Sequence, residues 1–215
     1  MAIVKRTYGQ YCGFARALEL VGERWALLIV RDLLIGPKRF GEIQRGLPGI
    51  PTNILTARLN ELEDSGLVRR TVLARPAKGV AYELTEAGIA LEDTVLALGR
   101  WGAVRLGDQR PDETVTEDSI AMALRTTFRP EAAGKAKLTY LLRVGDIEVH
   151  ARIRDGAIAV GRGPVEKPDL VIEAGPELRL LLAREISPAD AISKGLVRVS
   201  GDLKLLDRFV RMFRI

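Results

Sequence analysis

Residues 48–82 read PGIPTNILTARLNELEDSGLVRRTVLARPAKGVAY, and the rest of the chain is organised around them. Pro48, Gly49 and Pro51 cannot sit inside a helix and mark a turn. A helix follows, opened by Pro51 or Thr52, with Leu55, Leu59 and Leu62 at i, i+4 and i+7 as one apolar stripe. Gly66 closes it where a left-handed residue is favoured. The opposite face carries Thr52, Asn53, Thr56, Arg58 and Asn60, polar or basic groups of the kind that read base edges or grip phosphate. The pattern then turns to strand over Leu67-Val68 and Thr71–Leu73, with a tip at Pro76–Gly79 and a return strand Val80–Leu84. From Ser65 to Tyr82 there are four basic residues, Arg69, Arg70, Arg75 and Lys78, and no acid.

A polar-faced helix followed at once by a basic hairpin is the outline of a winged helix-turn-helix, with a recognition helix for the major groove and a wing for the flanking backbone. The expected DNA contacts are Lys38, Arg39, Thr52, Asn53, Thr56, Arg58, Arg70, Arg75 and Lys78. A solvated amphipathic helix and hairpin would give the same local pattern without nucleic acid. What weighs against that is upstream: Cys12, the Leu18–Leu34 run with Trp25, Arg31-Asp32-Leu33-Leu34, Gly36-Pro37, Arg39-Phe40 and Leu47-Pro48-Gly49-Ile50. With Leu55, Arg58-Leu59, Leu62-Glu63, Gly66-Leu67-Val68, Tyr82 and Leu84-Thr85, this order of residues resembles an HxlR-type winged-helix repressor over residues 8–105. The chain departs from that pattern at Pro51-Thr52-Asn53, where such repressors often carry Ser-Pro-Lys. The resemblance implies a bacterial, dimeric repressor of double-stranded DNA, and in some relatives an oxidant-sensing cysteine at the place of Cys12.

The 215 residues carry a net charge of +5, with 16 Lys/Arg and 12 Asp/Glu in residues 1–110 against 17 and 16 in residues 111–215. The excess therefore lies where the helix and wing lie, which suits an anionic partner. One cysteine allows no internal disulfide, and Met1–Val4 followed by Lys5-Arg6 has no apolar core of signal-peptide length. The longest apolar run, Trp25–Val30, is too short to span a bilayer. The expectation is a cytoplasmic protein without a membrane span.

Helices are expected at about 12–21 (Phe14, Leu18 and Val21 on one face), 23–35 and 38–46, the last starting with Lys38-Arg39. A single long helix is expected from a Thr85 cap to Arg105, with enough apolar surface to make a homodimer together with the N-terminal arm and first helix. Cys12, near the start of the first helix with Arg16 one turn on, is the candidate redox residue. Residues 1–106 then form the DNA-binding and dimerisation domain, and the polar segment 107–117 a linker.

Residues 118–215 change period. A helix at Ser119–Phe128 precedes alternating strands with Gly145-Asp146 and Asp155-Gly156 as hairpin turns, then helices at Pro176–Ala183, from Pro188 and from Asp202. The fold class expected is α+β in two domains: a mainly helical winged domain, then an antiparallel sheet covered by helices. Asp155-Gly156, Pro168–Ile172, Leu178–Leu182, Pro188–Ala191, Gly195 and Val199–Asp202 resemble the sterol-carrier-protein-like domain. That family encloses an apolar tunnel, so the resemblance implies a hydrophobic effector, with Leu178, Leu181, Leu182, Leu206, Phe209 and Phe213 as candidate pocket residues. The lone His150, on the polar side of a strand, makes no metal site with a distant cysteine, and no phosphate loop or nucleophile motif occurs, so neither an enzyme nor a cofactor is expected. The alternative is a lipid or small-molecule binding protein whose first half serves mainly dimerisation.

Overall fold

The structure, a computed structural model, describes residues 7–73 and 78–215. It divides into two compact units, one ending at Val95 and the other spanning Leu96–Ile215. The division falls inside a helix, ahead of the 107–117 segment.

The first unit contains α1 (Gly13–Val21), α2 (Ala26–Leu33), α3 (Phe40–Gly46), α4 (Thr52–Asp64), β1 (Val68–Leu73), β2 (Gly79–Leu84), α5 (Glu86–Ile89) and the start of α6 (Glu92–Ala103). Its core is the stripe of α4, Leu55, Leu59 and Leu62, closed against Ile29 and Val30 of α2 and Ile43 of α3. The end of α4 shows why Gly66 is there. Its φ is +71°, and the chain folds back so that the Leu67 N–H reaches Leu62 O at 2.9 Å and the Gly66 N–H reaches Glu63 O at 2.9 Å. That bond pair satisfies carbonyls a helix end otherwise leaves open, and it throws the chain straight into β1.

Three helix expectations change. In α1, Phe14 is exposed and Ala15 takes the buried place instead. The second helix is shorter than 23–35 because Trp25 adopts φ +79°, a left-handed conformation that a helix cannot contain, so α2 begins at Ala26. The helix expected from Thr85 to Arg105 is broken at Ala90-Leu91 into α5 and α6. Thr85 does cap it, its hydroxyl accepting from Gly88 N at 3.2 Å. The break follows from packing: a Cβ on Gly88 would lie 2.1 Å from Leu67 O, so α5 presses directly on the turn into β1.

The second unit comprises the rest of α6, then α7 (Glu117–Thr127), α8 (Pro130–Ala133), β3 (Lys137–Val144), β4 (Ile147–Arg154), β5 (Ala157–Arg162), β6 (Leu170–Ala174), α9 (Leu178–Leu182), α10 (Pro188–Ser193), β7 (Val197–Gly201) and α11 (Lys204–Met212). The sheet order is β5-β4-β3-β6-β7. It is mixed rather than antiparallel, because β6 runs parallel to β3, with Tyr140 opposite Leu170. The hairpin turns fix only consecutive strands. After β5 the chain returns to the far side of β3, a pairing no local turn specifies. The core gathers Tyr140, Leu142, Val149, Ile153, Ile172, Phe209 and Phe213, all within 1% of complete burial. No helix among the described residues is long and apolar enough to cross a membrane.

Candidate nucleic-acid interface

The exposed face of α4 begins immediately after the turn at Leu47–Pro51. Gly49 takes φ +83° there, and the Ile50 N–H closes on Leu47 O at 3.1 Å. Thr52, Asn53 and Thr56 are all exposed. Gln44 Nε2 on α3 donates to the Thr52 hydroxyl at 2.8 Å, which ties the start of α4 to the helix before it. The Thr56 hydroxyl donates back to Thr52 O at 2.9 Å, leaving its oxygen lone pairs outward. Asn53 makes no side-chain hydrogen bond among the described residues, so its amide presents a donor and an acceptor to solvent together.

The wing is an antiparallel pair with Val68 opposite Leu84 and Leu73 opposite Gly79. Its root is held from outside. Lys38 N donates to Tyr82 O at 2.9 Å and Tyr82 N to Lys38 O at 2.7 Å, adding a third backbone segment to the sheet at that point. One residue on, the Arg39 guanidinium reaches along the wing and donates to Lys78 O at 2.6 Å. Arg39 and Lys78 are both exposed, so two cations stand together at the outer wing.

Three of the nine expected contacts are differently placed, and a fourth is not among the described residues. Lys38 is fully buried at 0% exposure and cannot meet a phosphate; its backbone bridge to Tyr82 pulls it out of α3 and under the wing. Arg58 is 15% exposed and pairs with Glu61, with Glu23 at 3.8 Å. Arg70 pairs with Glu63 at 3.2 Å and lies over the Tyr82 ring at 5.7 Å. Arg75 lies outside the described residues. The acid-free stretch thus borrows carboxylates from either side of itself, since Arg69 likewise pairs with Glu83 at 2.8 Å. Two further residues belong to this surface that the sequence reading does not single out. Gln44 positions Thr52, and Arg45 is an exposed cation on α3 that makes no hydrogen bond or ion pair among the described residues. Arg45 has a sequence signal: an arginine on the solvent side of the helix preceding a recognition helix.

Cys12 is exposed at the start of α1. The nearby backbone N–H groups of Ala15 and Phe14 favour the thiolate and hold the thiol below its ordinary pKa. Arg16 contributes less than its spacing suggests, because it is engaged by Glu19 at 2.7 Å. Close to it in the chain, Tyr8, Tyr11 and Phe14 are exposed; further on, so are Ile89, Leu98, Trp101 and Val104 along α5, α6 and the residue that follows.

In the second unit, Leu181, Leu182, Leu206, Phe209 and Phe213 are buried and Leu178 is half-buried. The two phenylalanines among them sit in a cluster of rings. Phe209 and Phe213 centroids are 4.5 Å apart, Tyr140 and Phe209 5.2 Å, and Phe128 and Phe213 5.6 Å. A cleft of about 400 Å³ does exist in this unit, but it is lined by Arg143, Glu173, Arg198, Ala174, Leu196 and glycines, and by none of the six candidate pocket residues. His150 Nδ1 lies 3.1 Å from Gly163 O, and among the described residues no group of three His, Cys, Asp or Glu side chains is placed to hold a metal.

The HxlR-like helix-turn-helix family profile matches residues 20–110. An HTH-type transcriptional regulator of Mycobacterium tuberculosis is 46% identical over 87 residues, covering 40% of this chain and 54% of its own. The HTH-type transcriptional regulator YodB of Bacillus subtilis is 40% identical over 104 residues, covering 47% of this chain and 88% of its own. The solved reduced form of YodB aligns with a TM-score of 0.39 at 38% identity, over 47% of this chain and 100% of that one. The chain spans about half the length of the mycobacterial relatives it matches.

Proposed function

Because the chain belongs, through its first half, to the HxlR-like helix-turn-helix family, we propose that it is a DNA-binding transcriptional regulator, a repressor that occupies a pseudo-palindromic operator as a homodimer in the cytoplasm. The observation that carries this is Asn53: an exposed amide on α4, without an internal partner among the described residues, one residue past the helix start and flanked by Thr52 and Thr56. An asparagine so placed recognises adenine through two hydrogen bonds. Arg39 and Lys78 on the wing and Arg45 on α3 supply the phosphate contacts.

These roles separate experimentally. Asn53→Ala should lose about 1–3 kcal/mol of discrimination at one base pair and leave the salt dependence alone. Arg39→Ala with Lys78→Ala should weaken binding to all sequences and flatten the salt slope by about 0.9 for each phosphate no longer neutralised. Selection from random DNA that enriches no motif would overturn specific regulation and favour the rival, in which this half serves dimerisation alone.

Support for the dimer is the exposed apolar surface of Tyr8, Tyr11 and Phe14 on the arm and α1, and of Leu98 and Trp101 on α6. Two recognition helices would then meet half-sites about 34–36 Å apart. Light scattering should give a dimer at micromolar concentration and a shift toward monomer for Trp101→Asp; a monomeric native chain would remove the geometry. Cys12 is the proposed oxidant-responsive thiol, supported by its exposure and its lowered pKa. A Cys12→Ser chain that kept the full response to a thiol oxidant would dismiss that role.

For the second unit we retain the sterol-carrier-like fold as a proposal, supported by the turn at Asp155-Gly156 and the helices capped at Ser187 and Asp202. An apolar effector at Leu178, Leu181, Leu182, Leu206, Phe209 and Phe213 is the weaker part of that proposal, since five of the six are buried and Phe209 lies in ring contact with Phe213 and Tyr140.

A further inference from the structure

Across four strands of the second unit, one row of side chains alternates in charge. Strand register sets Arg143 of β3 opposite Glu148 of β4 on one side and Glu173 of β6 on the other, and sets Glu173 opposite Arg198 of β7. Residues directly opposite one another stand on the same face, so the row runs Glu148, Arg143, Glu173, Arg198. The first three are joined. Arg143 Nε donates to Glu148 at 2.8 Å and its Nη1 to Glu173 at 3.1 Å, which fixes the guanidinium and leaves its other N–H groups uncommitted to these carboxylates. Arg198 ends the row differently. It makes no hydrogen bond or ion pair among the described residues and is exposed.

The cleft of about 400 Å³ opens over this end of the row, with Gly145, Gly175 and Gly195 in its walls. Gly145 and Gly195 have φ of +58° and +69°, and a Cβ on either would meet nothing within 4 Å, so bare backbone borders the space. The volume lies within the range of small-ligand sites. Its charged lining is two guanidiniums and one carboxylate, net +1.

We propose that this cleft binds a small organic carboxylate, gripped by Arg198 and the open edge of Arg143, with a hydroxyl or ammonium substituent donating to Glu173. Guanidinium recognises carboxylate through paired hydrogen bonds, and Arg198 is the guanidinium of the row that no carboxylate engages among the described residues. A phosphate dianion would meet the Glu173 carboxylate at close range, and a long alkyl chain would find only Ala174 and Leu196 as apolar wall. The proposal is independent of the DNA-binding reading, since it concerns residues of the second unit only.

The test uses the full chain in calorimetric titration and thermal shift with lactate, 4-hydroxybenzoate, inorganic phosphate and palmitate. A saturable rise in Tm with a hydroxycarboxylate is expected, with Kd weakened about tenfold or more in Arg198→Gln and unchanged in Lys204→Gln, an exposed cation outside the cleft. If Arg198→Gln misfolds, hydrogen exchange on the native chain decides instead: slower exchange at Gly175 and Gly195 with the carboxylate supports the site. Absence of saturable binding by either hydroxycarboxylate overturns it. So does equal binding by Arg198→Gln, an equal response to phosphate, a response to palmitate alone, or unchanged exchange at those glycines.

Discussion

Replacing Leu59 by alanine should cost about 2–5 kcal/mol of stability and take DNA binding with it, although Leu59 has no surface for DNA to touch. The residue is fully buried in the middle of the α4 stripe, between Leu55 and Leu62, against α2 and α3. Truncation strips away methyl groups and leaves a cavity that three helices cannot all close. A domain of this size is stable by about 5–15 kcal/mol, so the loss is a large fraction of the whole. Urea denaturation measures the first effect and operator titration below the midpoint the second. A cost under about 1 kcal/mol would mean that α4 is not held by this stripe.

Phe209→Ala should cost more, about 3–5 kcal/mol, and the cost should be local. Phe209 is fully buried, in contact range of both Phe213 and Tyr140, and the Tyr140 hydroxyl donates onward to Leu205 O at 3.3 Å. Removing the central ring loses its own burial, the edge contact with Tyr140 and the tilted contact with Phe213. Hydrogen exchange should quicken throughout β3, β6 and α11 while the amides of α4 keep their protection. Equal loss of protection in α4 would show that the chain unfolds as one body and not as two units.

What can be read from the sequence is what neighbours along the chain decide. The stripe Leu55, Leu59, Leu62, the stop at Gly66 and the strands that follow all rest on spacings of a few residues, and α4, β1 and β2 fall where those spacings put them. The charges fail for the opposite reason. Whether an arginine is available to DNA depends on what lies across from it: Glu63 and Glu61 sit beyond the acid-free window, and Glu23 belongs to the turn before α2. Lys38 has the composition of a contact residue, but its burial comes from a pairing with Tyr82 on another element. The parallel placement of β6 beside β3 and the break at Ala90-Leu91 are of the same kind, set by contacts with Thr139–Arg143 and with Leu67 that periodicity does not carry. Asn53 and Lys78 are exposed, as the local pattern leads one to expect, because no side-chain partner from elsewhere covers either among the described residues.

The paired hydrogen bonds between Lys38 and Tyr82 have a mechanical meaning. They clamp the wing at its root, as a cantilever is clamped, so its stiffness is greatest beside α4. The distance from the recognition helix to the first part of the wing is therefore a fixed gauge within one protomer. A flanking backbone that departs from that gauge has to deform itself. For the dimer proposed above, a change in half-site spacing cannot be absorbed by swinging the wing from its root; it has to come from rotation of one copy's DNA-binding unit against the other's.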